Sequence, residues 1–195
     1  MGRSKALLPW FGTTLVEYQI NALHAAGIES LIVVTGYRSE DVNSVIRRTD
    51  VLVAENRDYC RGKTTSIQAG LSMVPKTCGV VALVAVDQPR PTWLIQMVIE
   101  SHRREGALIT SPRYRGHGGH PLLFSSTLIP ELRDISESTD GLRSVMQDHA
   151  QEINWVDVDS QVVSLDLNTQ KAYQEALRTF REWEDKPDPH QAVTD

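Results

Sequence analysis

The chain has 195 residues, 41% hydrophobic and 23% charged, which is enough length and apolar material for one domain with a single buried core. Lys and Arg number 20 against 25 Asp and Glu, a net charge of -5, and this argues against a nucleic-acid binder built on phosphate neutralisation. The longest apolar run, near Val80–Val86, is far shorter than a bilayer span, and the opening MGRSK is not followed by a signal-type apolar stretch, so neither a membrane nor a nucleic acid is expected as a partner.

The two cysteines, Cys60 and Cys78, lie outside any CxxC or Cys/His spacing. Neither a disulfide framework nor a zinc site is expected, each cysteine reads as a small buried or half-buried residue, and a reducing cytoplasm is the expected location.

Helical and strand patterns alternate along the chain. Thr14–Ala26 carries Leu15, Tyr18, Ile20 and Leu23 at helical spacing, with Gly27 as a stop. Leu31–Thr35 is a short β-branched run, as in a strand buried on both faces. A helix follows from Ser39 as N-cap, then a strand at Val51–Ala54 and a helix at Thr64–Met73 entered through a capping hydroxyl. Val80–Val86 is the most apolar strand and is expected at the sheet centre. Trp93–Arg103 is a helix ended by Gly106, and Ala107–Thr110 a strand. Arg113–Gly119 reads as a glycine-rich loop and Pro121–Phe124 as a short apolar stretch. Ser126–Leu132 and Gly141–Gln147 read as short helices, Ile153–Val158 as a half-exposed edge strand, and Asn168–Trp183 as a closing helix. Residues 1–183 form one domain, and 184–195, polar with two prolines, a flexible tail. This alternation predicts a doubly wound, mostly parallel α/β sheet, with ligands at the loops after the strands.

Five places could carry chemistry. Asp87, in DQP at the end of the most apolar strand, is placed to hold Mg²⁺, and equally to cap the helix that follows. Gly2, Arg3 and Lys5 make a short basic loop that could neutralise phosphate, or simply charge a terminus. Asn56, Gly62, Thr64, Thr65 and Ser66 bring polar groups to a helix start, for a base or phosphate or for capping alone. In GHGGHPLLF, Gly118 and Gly119 permit positive φ or close approach to a ligand, and His120 precedes Pro121. Asp166 and Asn168 could complete a magnesium site near Asp87, or Asn168–Thr169 could cap the last helix. No GxSxG, HExxH or GxxxxGK[ST] pattern is present.

In order, MGRSKALLPW-x-G-x-TLVEYQ, N-x(5)-G-x(3)-S-I-x-A-G-L, VDQP, GHPLLF, TDGLR and D-L-N-T resemble the MobA-like nucleotidyltransferases, most nearly the molybdenum cofactor cytidylyltransferase branch, to about Arg181. The resemblance implies a Rossmann-like nucleotidyltransferase fold. It also implies Lys5 and Asp87 as catalytic residues, and Gly2, Arg3, Lys5, Asn56, Gly62 and Ser66 on the nucleotide side. Gly119, His120 and Pro121 fall on the acceptor side, and Asp87, Asp166 and Asn168 around Mg²⁺. Gln170–Lys171 departs from the family's usual proline and acidic pair.

The implied reaction moves a nucleoside monophosphate, CMP from CTP, onto a phosphorylated acceptor of the molybdopterin type, with a molybdoenzyme maturation partner as a further implication. A sugar phosphate or other small acceptor is the alternative within the class; a non-catalytic relative that binds a cofactor or partner enzyme is the alternative outside it. The family's first strand and glycine-rich loop are not found ahead of Met1, which is therefore expected to be an internal methionine of a longer protein. That strand's absence would leave two neighbouring strands with unpaired edges.

Overall fold

The computed structural model describes residues 4–46 and 50–184. The expectations placed on Met1, Gly2, Arg3 and the tail from 185 onward lie outside the described residues.

A short antiparallel pair, β1 (Pro9–Trp10) and β2 (Thr13–Thr14), leads into α1 (Leu15–Ala25). The Thr14 hydroxyl accepts the Glu17 N–H, and the Glu17 carboxylate accepts the Thr14 N–H at 2.9 Å, a reciprocal capping box. Next come β3 (Ile32–Thr35), α2 (Ser39–Ile46), β4 (Leu52–Glu55), α3 (Lys63–Ser72), β5 (Val80–Leu83) and α4 (Thr92–Glu105). Gly106 ends α4 in the left-handed region at φ 60°, its N–H on the His102 carbonyl. The second half holds β6 (Ile109–Tyr114), β7 (His117–Gly118), β8 (Leu122–Ser125), α5 (Ile129–Asp134), α6 (Leu142–Asp148), β9 (Ile153–Asp157) and α7 (Gln170–Glu184).

The α/β architecture is as expected. β3 and β4 pair in parallel, Ile32 opposite Leu52, and β9 runs parallel along β6. β8 lies between β5 and β6, antiparallel to both. Among the described residues no strand pairs the second edge of β3 or of β5. The strand expected at the centre therefore ends its ladder, and it stops at Leu83 rather than Val86. Val33, Val84 and Val86 nonetheless share one apolar cluster with Ile20 and Leu23 of α1 and Ile95 of α4.

Other differences have local causes. The glycine-rich loop at 113–119 is a β-hairpin: Tyr114 faces His117 across Arg115 and Gly116, whose φ of 48° and 83° suit a tight two-residue turn. Ser39 is not an N-cap but the first residue of α2, because Arg38, at φ 56°, already accepts the Asp41 and Val42 N–H groups. No hydroxyl caps α3, which starts after Gly62. Cys60 is exposed; Cys78 is half-buried as expected.

Trp10 anchors the largest apolar cluster. Its fully buried ring lies edge-on to Phe180 at 5.1 Å and beside Tyr18 at 6.1 Å, while the Tyr173 hydroxyl donates to the Pro9 carbonyl. This packing of α7 on the start of the chain sets Lys5 beside the residues that precede α7.

Candidate functional site

The residues after β5 turn sharply. The Gln19 amide of α1 donates to the Ala85 and Val86 carbonyls, both at 2.9 Å, and the Gln88 N–H closes the turn on Ala85. Asp87 sits in this turn at the carboxyl end of an apolar strand. Its carbonyl accepts the Leu167 N–H at 2.8 Å, which draws the segment before α7 alongside.

The side chains follow. Lys5 Nζ lies 2.8 Å from Asp87 Oδ2 and 2.5 Å from Asn168 Oδ1, so residues far apart in sequence meet around one ammonium. Asp166 Oδ2 accepts from the Gln88 amide at 3.2 Å, while its buried Oδ1 has no hydrogen-bond partner among the described residues. Asp87 does not cap α4, whose N-cap is Pro91. Asn168 does not cap α7; Thr169 does, accepting the Ala172 N–H at 3.0 Å.

No group of three or more His, Cys, Asp or Glu able to hold a metal occurs among the described residues. One carboxylate and one amide oxygen already gathered about a cation, with the orphaned Asp166 acceptor in the adjoining segment, still suit a hard divalent ion that takes the rest of its shell from phosphate and water.

The loop from Asn56 to Ser66 is internally satisfied. Buried Asn56 gives both amide protons to the Thr65 and Ser66 hydroxyls at 2.9 Å and accepts the Asp58 N–H. The α3 N-terminus holds a carboxylate of the chain itself. Glu137 accepts the Thr64 N–H at 2.8 Å, and that backbone bond holds its pKa below the usual range. A Cβ on Gly62 would lie 2.4 Å from the Glu137 carboxyl, so the contact requires glycine there.

The segment expected on the acceptor side is held just as closely. Neither Gly118 nor Gly119 has positive φ. The close approach expected toward a ligand is made to the protein: a Cβ on Gly119 would lie 2.3 Å from the Val163 carbonyl oxygen, and one on Gly118 2.9 Å from Trp155. His120 precedes a cis Pro121, and its Nδ1 lies 3.2 Å from the Leu83 carbonyl. Burial lowers its pKa, the Leu83 bond opposes this, and Arg90 lowers it further, so the ring is neutral at pH 7 with its proton assigned to Nδ1.

Sequence reasoning missed Gln19, Arg90 and Glu137. Arg90 carried a local signal, an arginine between two prolines directly after the DQ pair. Gln19 and Glu137 act across the fold and carried none.

Residues 1–153 match the MobA-like NTP transferase domain. The molybdenum cofactor cytidylyltransferase of Escherichia coli K12 is 27% identical over 190 residues, covering 93% of this chain and 91% of that protein. The bifunctional IPC transferase and DIPP synthase of Rubrobacter xylanophilus is 32% identical over 164 residues, 69% of this chain and 37% of that protein. The crystal structure of Rv0371c in complex with manganese, from Mycobacterium tuberculosis H37Rv, is 26% identical with a TM-score of 0.73, covering 91% of this chain and 93% of that one. With a domain match over most of its length, the chain belongs to the MobA-like NTP transferase family and is a nucleotidyltransferase.

Proposed function

We propose that this nucleotidyltransferase moves CMP from CTP onto a terminal phosphate of a molybdopterin-type acceptor. An acceptor phosphate oxygen bonds to the α-phosphorus, the bond from that phosphorus to the bridging β-oxygen breaks, and pyrophosphate leaves with the electron pair. The observation that carries this reading is the meeting of Lys5, Asp87 and Asn168 within hydrogen-bond distance, beside Asp166. Support for the acceptor and nucleotide comes from the 27% identical cytidylyltransferase.

Asp87, Asp166 and Asn168 would hold Mg²⁺ or a similar divalent cation, as the manganese complex of the 26% identical structure suggests. Such an ion, when bound, neutralises phosphate oxygens and stabilises charge that builds in the transition state. The chain itself contributes position and charge rather than covalent chemistry. Lys5, half-exposed, would turn its ammonium from Asp87 and Asn168 to the departing pyrophosphate. Asn56 and Ser66 shape the nucleotide-side loop, with Gly62 at its end, and Gly119, His120 and Pro121 the acceptor side. The neutral His120 ring adds no charge against the acceptor.

Asp87→Asn removes a formal charge and keeps the shape. It is expected to reduce divalent-dependent pyrophosphate release by at least about a hundredfold with the fold intact by circular dichroism; full activity in the folded variant would refute the role. A second reading, another small phosphorylated acceptor, draws on the 32% identical transferase. An acceptor panel that includes sugar phosphates, scored by pyrophosphate release, separates the two.

A further inference from the structure

Arg90 is 1% exposed, and its acceptors are all neutral oxygens. Nε donates to the His120 carbonyl at 3.0 Å. Nη1 donates to Pro89 and Leu165 at 2.9 and 3.0 Å, and Nη2 to Val163 at 2.8 Å and to Gln88 Oε1 at 3.3 Å. These bonds match the five N–H donors of a guanidinium. Burial lowers its pKa to about 10, with Asp166 and Asp87 opposing the fall, so the group stays cationic at pH 7.

Packing alone does not account for it. Methionine or leucine would occupy similar space without desolvating a charge. The acceptors are also not scattered. One belongs to the acceptor-side segment at His120, two to the strip that ends at Asp166, and two to the residues directly after Asp87. Pro89 and Pro91 fix the backbone on either side, so the fork cannot slide among these partners. None of the acceptors lies in the loop of Asn56.

We propose that Arg90 is the positioning residue of the acceptor side: its buried fork locks the His120–Pro121 segment to the two carboxylate-bearing turns, and so sets where the acceptor phosphate lies relative to Asp87 and Asp166. The proposal rests on the transfer reaction given above. Because the fork reaches the acceptor side and not the nucleotide loop, its loss acts on the acceptor more than on the nucleotide. The five bonds need the planar fork. Lysine keeps the charge but has three donors on a single nitrogen and cannot reach three segments at once.

The test uses the full chain with Arg90→Lys, in two measurements. In the ligand-free protein, hydrogen exchange at the Gly119 and Leu167 amides, bonded to Pro112 and Asp87, is expected to quicken at least about tenfold, while the α1 amides keep their rates. In steady-state kinetics with CTP and molybdopterin, well below the melting temperature, the acceptor KM is expected to rise about tenfold or more and kcat to fall, with the CTP KM within about twofold. Unchanged exchange, or a change spread evenly over the molecule, overturns the proposal. So do quickened exchange with unchanged kinetics and an equal rise in both KM values. If Arg90→Lys does not fold, the wild-type chain decides: with ¹⁵N-arginine, a slowly exchanging Nε–H signal that shifts on adding molybdopterin but not CTP supports the lock, and a fast-exchanging or unresponsive one overturns it. A wild-type chain that releases no pyrophosphate from any nucleoside triphosphate defeats the transfer reading, and with it the acceptor role, whatever the exchange data show.

Discussion

Gly119→Ala tests how tightly the segment proposed for the acceptor side is threaded. The new methyl would lie 2.3 Å from the Val163 carbonyl oxygen and 2.7 Å from Val163 Cγ1, the first at least 0.7 Å inside the 3.0 Å that real Cβ contacts respect. The clash is with backbone, so no side-chain rotation relieves it. Val163 is fully buried, and its carbonyl accepts Arg90 Nη2 at 2.8 Å, so moving it strains a second contact. On the other face, Gly119 is fixed by its N–H on the Pro112 carbonyl and by the Ser111 hydroxyl on its own carbonyl. Overpacking of this kind costs about 1–3 kcal/mol. For a chain of this size that lowers Tm by roughly 2–12 °C. Gly79→Ala is the control, since its Cβ meets nothing within 4 Å and its φ is not positive, and its effect is expected to stay within about 0.5 kcal/mol. Thermal melts of both variants by circular dichroism decide the matter; equal melting temperatures would refute the threading argument.

Three other outcomes follow from the geometry. His149 bonds Glu152 at 2.7 Å and Glu131 at 2.9 Å, and these partners raise its pKa above the ordinary value. Its stabilisation is therefore complete below the unfolded pKa of about 6.5 and fades as pH rises through the higher folded value. The stability gap between wild type and His149→Gln, from urea melts, should shrink from pH 5.5 to 9, and a constant or growing gap contradicts the assignment. Trp10→Ala removes a fully buried ring packed on Phe180 and should cost about 3–5 kcal/mol in urea unfolding; a loss under about 1 kcal/mol would count against the packing. In β3, the pairing of the Leu31 and Thr35 carbonyls with β4 turns the Val33 and Thr35 amides toward β4 and those of Ile32 and Val34 toward the edge that no strand pairs among the described residues. Exchange followed by NMR should be fast at Ile32 and Val34 and slow at Val33 and Thr35, and equal protection would contradict the open edge.

Much of the fold was legible because its periodicities are local. The helix from Leu15 and the edge strand at Ile153 each carry their own pattern, and Gly106 stops α4 by a backbone preference visible in one residue. The β6–β7 hairpin was not, since RYRGHGG has turn composition and no β-branched residue, and its partner β9 lies some forty residues on. For the site, a resemblance to known motifs put Asp87, Lys5 and Asn168 in one expected site; that Lys5 bonds the other two is visible only in the folded chain, since nothing local in SKAL or DLNT says that they meet. Gly119 was read as a place of positive φ or close approach to a ligand; its φ is not positive, and the close approach that the structure shows is to Val163. The Glu137 cap on α3 joins residues 73 positions apart, and only the folded chain brings a carboxylate to that helix end.

The account turns on a divalent cation held by Asp87 and Asp166 against the phosphates of a bound nucleotide. Diffraction from crystals soaked with CTP and manganese, recorded where manganese scatters anomalously, tests it most directly. The predicted result is one strong anomalous peak between the Asp87 and Asp166 carboxylates, in contact with phosphate density. Nucleotide density in the cleft with no such peak beside either carboxylate would contradict it.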